Sequence, residues 1–137
     1  MTTSFVVDEH VAADVLAALL GQLQVKKFVG DPERLHTCLA RASRHYSILN
    51  PFRFTVGDVY PFSRDLEDAL SILQRSRMIR MENPDYDTYV ITANGENIGR
   101  HLLESFGDEE KQQLKELEEY FRLECGKEEI EREREAA

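Results

Sequence analysis

Ser63-Arg64-Asp65-Leu66-Glu67-Asp68-Ala69-Leu70-Ser71-Ile72-Leu73-Gln74-Arg75-Ser76-Arg77 is the stretch on which the fold turns. Leu66, Ala69, Leu70 and Leu73 recur at spacings of 3, 1 and 3, which places them on one face of an α-helix. The helix follows from Ser63, and Asp65 falls in its first turn, where a negative charge complements the helix dipole. The opposite face carries Arg64, Asp68, Ser71 and Arg75, a polar row that the same geometry directs outward. Immediately downstream, Met78 to Glu82 and Thr88 to Thr92 are rich in β-branched and aromatic residues, and Asn83-Pro84-Asp85 lies between them. Two strands joined by that turn form a hairpin whose tip is acidic, with Glu82, Asp85 and Asp87 against Arg80 alone.

Working outward, Thr92 caps a further helix with Ile98, Leu102, Leu103 and Phe106 on its apolar face, which Gly107 closes. Asp108 then caps a last helix to about Cys125, whose seam of Leu114, Leu117 and Phe121 is too short for an independent coiled coil and must dock on something. Residues 126–137 are nearly all Glu, Arg and Lys, and read as a frayed or disordered charged tail.

Upstream, a first helix starts at Asp8 and carries Val11, Val15, Leu16, Leu19 and Leu23. Its alanines and Leu20 make the remaining surface apolar too, so it is to be covered on more than one side, by the core or by a second subunit. Gly30-Asp31-Pro32 starts a second helix, with Asp31 as cap and Pro32 at the first helical position, running to about Tyr46. Leu35, Leu39, Ala42 and Tyr46 form its stripe, while Arg34, Arg41 and Arg44 lie off it. Asn50-Pro51 breaks that helix, Phe52 to Val56 alternates as a short half-buried strand would, and Gly57-Asp58 turns the chain. The 137 residues suit one domain over 1–125 followed by the tail, and the class is α+β, mainly α.

The net charge of −9 is unevenly spread. From Asp108 onward there are twelve acids and six bases, net −6, whereas Arg34 to Arg80 holds eight Arg against Asp58, Asp65, Glu67 and Asp68, net +4. The acidic total therefore hides a mildly basic middle. Val11 to Leu20, interrupted by Asp14, is too short to span a bilayer, and no basic segment precedes it as a signal peptide requires, so a cytoplasmic protein is expected. Cys38 and Cys125 lack CxxC spacing and read as reduced thiols.

Catalytic chemistry is not legible. His36 and Cys38 lie about 200° apart on a helix and do not converge on a metal. His10, His45 and His101 are scattered, and Gly95, Gly99 and Gly107 lack the strand and spacing of a phosphate loop. No catalytic residue, metal or cofactor is expected.

From Tyr60 to Phe106 the sequence resembles winged helix-turn-helix proteins of the broad PadR-like and MarR-like kind. Tyr60-Pro61-Phe62-Ser63 leading into Leu66, Leu70 and Leu73 looks like the entry to that superfamily's recognition helix. Ser76-Arg77-Met78-Ile79 looks like the turn before its first wing strand, and Tyr89-Val90-Ile91-Thr92 with Gly95 like its second wing strand and next helix. One departure is the connection from about Tyr46 to Ser63, far longer than the 3 to 4 residues that join a helix-turn-helix, which leaves the partner helix unassigned. The resemblance implies a winged helix with additional N-terminal and C-terminal helices, its recognition helix entering the major groove of double-stranded DNA in a transcriptional regulator. Arg64, Ser71, Arg75 and Arg80, with Arg41 and Arg44 on the second helix, would be the contacts. The alternative is a winged-helix interaction module that binds a protein partner, or a homodimer through the first or last helix.

Overall fold

The computed structural model describes residues 4–57, 59–82 and 87–127, with the side chains of 4–11 left out. Within these bounds the chain is α+β and mainly helical: α1 (Ser4–Gly21), β1 (Lys27–Val29), α2 (Pro32–Ala42), α3 (Arg64–Arg75), β2 (Ile79–Met81), β3 (Thr88–Ile91), α4 (Ala93–Leu103), α5 (Asp108–Cys125) and β4 (Gly126–Lys127). The strands form one antiparallel sheet in the order β2-β3-β1-β4. Among the described residues no helix is long and apolar enough to cross a membrane.

The centre of the molecule is α1. Ala12, Ala13 and every residue from Val15 to Leu20 are buried, as an all-round apolar helix requires, and α3, α4 and α5 pack around it. The seam Leu114, Leu117 and Phe121 of α5 is wholly buried in the same core, with Phe121 edge-on to Phe28 of β1. The described side chains of α1 from Ala12 to Leu20 and the seam of α5 thus pack against each other's neighbours within the chain.

Helices α1 and α4 cross with their backbones in close approach. A Cβ built at Gly99 would lie 2.4 Å from the Ala17 carbonyl oxygen and 2.6 Å from Gly21 Cα, and one at Gly95 would lie 2.2 Å from the Met78 carbonyl oxygen. Gly99 of α4 therefore meets Ala17 and Gly21 of α1 backbone to backbone, while Gly95, one turn earlier, meets the backbone of Met78 just before β2. This corrects the expected inner face of α4: its fully buried positions are Gly95 and Gly99, Leu102, Leu103 and Phe106 are only partly buried, and Ile98 is exposed.

Other boundaries also differ. The first helix begins at Ser4 rather than Asp8, so Asp8 lies within it and the apolar Phe5-Val6-Val7 run continues the helix instead of preceding it. Asp31 and Pro32 open α2 as expected, Asp31 accepting from the Arg34 N–H, but α2 stops at Ala42, and Tyr46 N–H returns to the Ala42 carbonyl in a turn. Phe52 to Val56 is not a strand: Phe52 is buried, Val56 is completely exposed, and a single antiparallel bridge, Thr55 to Phe62, closes a loop that contains Gly57. Asp58 lies outside the described residues, as do the hairpin turn at 83–86 and the tail from 128. Gly107, not Asp108, is the cap of α5, its N–H donating to Glu110 Oε1 at 2.9 Å. Gly126 and Lys127 are not tail but strand, paired with Phe28 and Lys27 of β1.

Candidate nucleic-acid interface

Helix α3 forms where the sequence places it. Ser63 Oγ accepts from the Leu66 N–H at 3.1 Å, and Leu66, Ala69, Leu70 and Leu73 are buried. The N-terminus of the helix is braced twice more. Arg53 grips Asp65 through two guanidinium nitrogens, Nε at 3.0 Å and Nη2 at 2.8 Å, and its backbone N–H adds a third bond at 3.0 Å. Those hydrogen bonds hold the Asp65 carboxyl below the usual carboxylate range.

The second brace comes from His36 of α2, which is fully buried. The buried Ser63 N–H donates to its Nδ1 at 3.0 Å, so the ring proton sits on Nε2 and donates to Glu67 Oε2 at 2.7 Å. Phe62 stacks on the imidazole, with ring centroids 4.7 Å apart and planes 10° from parallel. The long connection from 46 to 63 therefore does not separate the two helices: one neutral histidine ties α2 to the first turn of α3. His36 and Cys38 indeed diverge. Cys38 is buried beside Cys125 at the end of α5, and its hydrogen bond with that thiol, together with burial, raises its pKa far above the ordinary thiol range. No three metal-ligating side chains gather among the described residues.

The outward row of α3 is intact. Arg64, Asp68, Ser71 and Arg75 are all exposed, and among the described residues no ion pair joins Asp68 to either arginine. Arg77 and Arg80, on the turn and on β2, are likewise exposed and make no side-chain ion pair there. Of the other arginines, Arg34 donates to the Glu124 carbonyl, Arg53 to Asp65 and Arg122 to Glu118, whereas Arg41, Arg44 and Arg100 are exposed and make no ion pair among the described residues.

Arg41 and Arg44 are exposed but not gathered with that row. Arg41 lines a cleft of about 410 Å³ with Arg34, Cys38 and Glu124, Arg44 lines another of about 420 Å³ with Phe54, Val59 and Tyr60, and no α3 residue borders either. The hairpin is also less acidic than its sequence suggests. Glu82 Oε2 accepts from Lys27 Nζ at 3.0 Å, and Lys27 is only 12% exposed, so that charge is locally neutralised; Asp85 lies outside the described residues. Two contributors were not singled out from sequence, His36 as brace and Arg77 as an exposed cation. The first has no local signal, and the second sits in a turn chosen for backbone shape. No family model, no curated protein and no solved structure matches this chain.

Proposed function

We propose that this chain is a winged-helix protein that binds double-stranded DNA, with α3 as the helix presented to the major groove and the β2–β3 hairpin as the wing. The observation that carries the reading is the placement of four exposed arginines: Arg64 and Arg75 lie on the outward row of α3, Arg77 on the turn after it and Arg80 on β2, and like Arg41, Arg44 and Arg100 elsewhere they make no ion pair among the described residues. Arginines available for phosphates and base edges are what duplex binding requires. The order α3, hairpin, α4, with β1 closing onto β3, supports the winged-helix assignment. The net charge of −9 does not oppose it, because two-thirds of the excess lies beyond Gly107.

The test is substitution along the row. Arg64→Ala and Arg75→Ala each weaken binding to mixed-sequence duplex fragments, while Asp68→Asn strengthens it by removing a like charge from the phosphates. Variants that all bind as the wild type does would refute the assignment of α3.

One observation favours a second reading, a protein-binding module. Val56 is completely exposed and Val59 is 78% exposed, both bordering the cleft that contains Phe54, Tyr60 and Arg44. If that loop is the contact surface, sedimentation of the pure protein shows self-association that Val56→Asp abolishes, and duplex affinity is absent.

A further inference from the structure

We propose that Arg77 is a phosphodiester-backbone contact which, with Arg75 and Arg80, forms an anion-binding corner where α3 hands over to the hairpin. The inference rests on the duplex-binding reading and adds a specific site to it. Arg77 has φ +62°, the only non-glycine residue in the left-handed region among the described residues. That conformation is unfavourable for a side chain-bearing residue, and glycine is the residue that adopts it freely.

The surrounding hydrogen bonds explain why the backbone holds this shape. Met78 N–H reaches the Leu73 carbonyl at 2.9 Å and Arg77 N–H the Gln74 carbonyl at 3.0 Å, the two bonds of a Schellman helix ending. Leu73 and Met78 are both buried, which supplies the apolar contact that accompanies the motif. Thr92 Oγ then donates to the Arg77 carbonyl at 2.8 Å, locking the turn to the start of α4. This backbone calls for glycine, yet the position carries a long cation. Those bonds hold the backbone whatever side chain stands there, and the exposed Arg77 side chain makes no ion pair among the described residues, so no partner within the protein accounts for arginine in place of glycine. Arg75 precedes it on the outward row of α3 and Arg80 follows on the exposed side of β2, placing three arginines within six residues with no acid between them. A run of phosphates is the ligand such a corner fits.

The experiment compares wild type, Arg77→Gly, Arg77→Asn and Arg77→Lys in duplex binding across a salt series, with thermal melting in parallel. Glycine and asparagine both tolerate the left-handed turn, so these proteins fold, and Arg77→Gly melts at or above the wild-type temperature. One phosphate contact contributes about 0.9 to the slope of log K against log salt, so losing it lowers affinity roughly eightfold at about 0.1 M salt and flattens the slope by about one. Arg77→Lys keeps the charge and retains the wild-type slope. If Arg77→Gly and Arg77→Asn bind with unchanged affinity and slope, Arg77 only complements the helix dipole and the inference falls, while the duplex reading stands on Arg64 and Arg75. If the wild type itself does not bind duplex at about 50 mM salt, both fall.

Discussion

Replacing Gly99 by alanine inserts a single methyl group at the α1–α4 crossing, where the structure has no room for it. The new Cβ would lie 2.4 Å from the Ala17 carbonyl oxygen and 2.6 Å from Gly21 Cα. An ordinary carbon–oxygen contact is about 3.4 Å, so the helices must part by about 1 Å. Neither obstacle is a flexible side-chain end that can swing aside; both are backbone, and α1 is buried on almost every side. Overpacking of this kind costs about 1–3 kcal/mol and occasionally more, and a rigid backbone obstacle puts it at the upper end. Alanine returns about 1 kcal/mol through its better helix propensity. The net expectation is a loss of about 2 kcal/mol, and at roughly 3–5 °C per kcal/mol for a chain of this size the melting temperature falls by about 6–10 °C. Thermal unfolding followed by circular dichroism or calorimetry reads this directly. Asn97→Ala, at an exposed position of the same helix, gains the propensity without the clash and is the control. A Gly99→Ala protein that melts at or above the wild type would refute the close crossing.

His36→Leu leaves the buried Ser63 N–H without its acceptor and removes the ring under Phe62, so denaturant unfolding reads a loss of about 2 kcal/mol. Glu67→Gln, whose side chain is 45% exposed and keeps an accepting oxygen, changes stability by no more than about 0.5 kcal/mol; equal losses in the two variants would contradict the account of the brace. Asp65 has its folded pKa depressed by Arg53, so its contribution is present above the ordinary carboxylate pKa and is lost as pH falls through the folded value. The stability gap between wild type and Asp65→Asn, measured by urea midpoints, is therefore full near pH 7 and closes at strongly acidic pH; a gap that widens on acidification would contradict it.

What could be read from sequence divides by distance along the chain. The start and buried face of α3 and the Asp31-Pro32 start of α2 depend on residues within about one turn, and those readings match the structure. Features set by distant partners were not legible. Lys27 to Val29 is three residues long and is a strand because Thr88 to Val90 and Gly126-Lys127 flank it. Gly99 was weighed as part of a phosphate loop, and Gly95 as that and as the start of a wing-following helix; their close approaches, Gly95 to Met78 and Gly99 to Ala17 and Gly21, are set by partners far along the chain. Phe52 to Val56 alternates like a strand, with Phe52 buried and Phe54 partly buried between exposed neighbours, but alternation alone does not supply a partner strand beyond the single Thr55–Phe62 bridge. At the candidate interface, helical spacing alone placed Arg64, Ser71 and Arg75 outward, whereas the separation of Arg41 and Arg44 into other clefts depends on α5 and the 54–61 loop.

The central claim, that the exposed arginines of α3 and the hairpin meet nucleic-acid phosphates, is tested most directly by wild-type affinity for mixed duplex fragments between about 50 and 200 mM salt. Four phosphate contacts predict a slope of log K against log salt of about −3.6, a loss of about 150-fold across that range. Absence of binding at the lowest salt, or an affinity that does not change with salt, would contradict it.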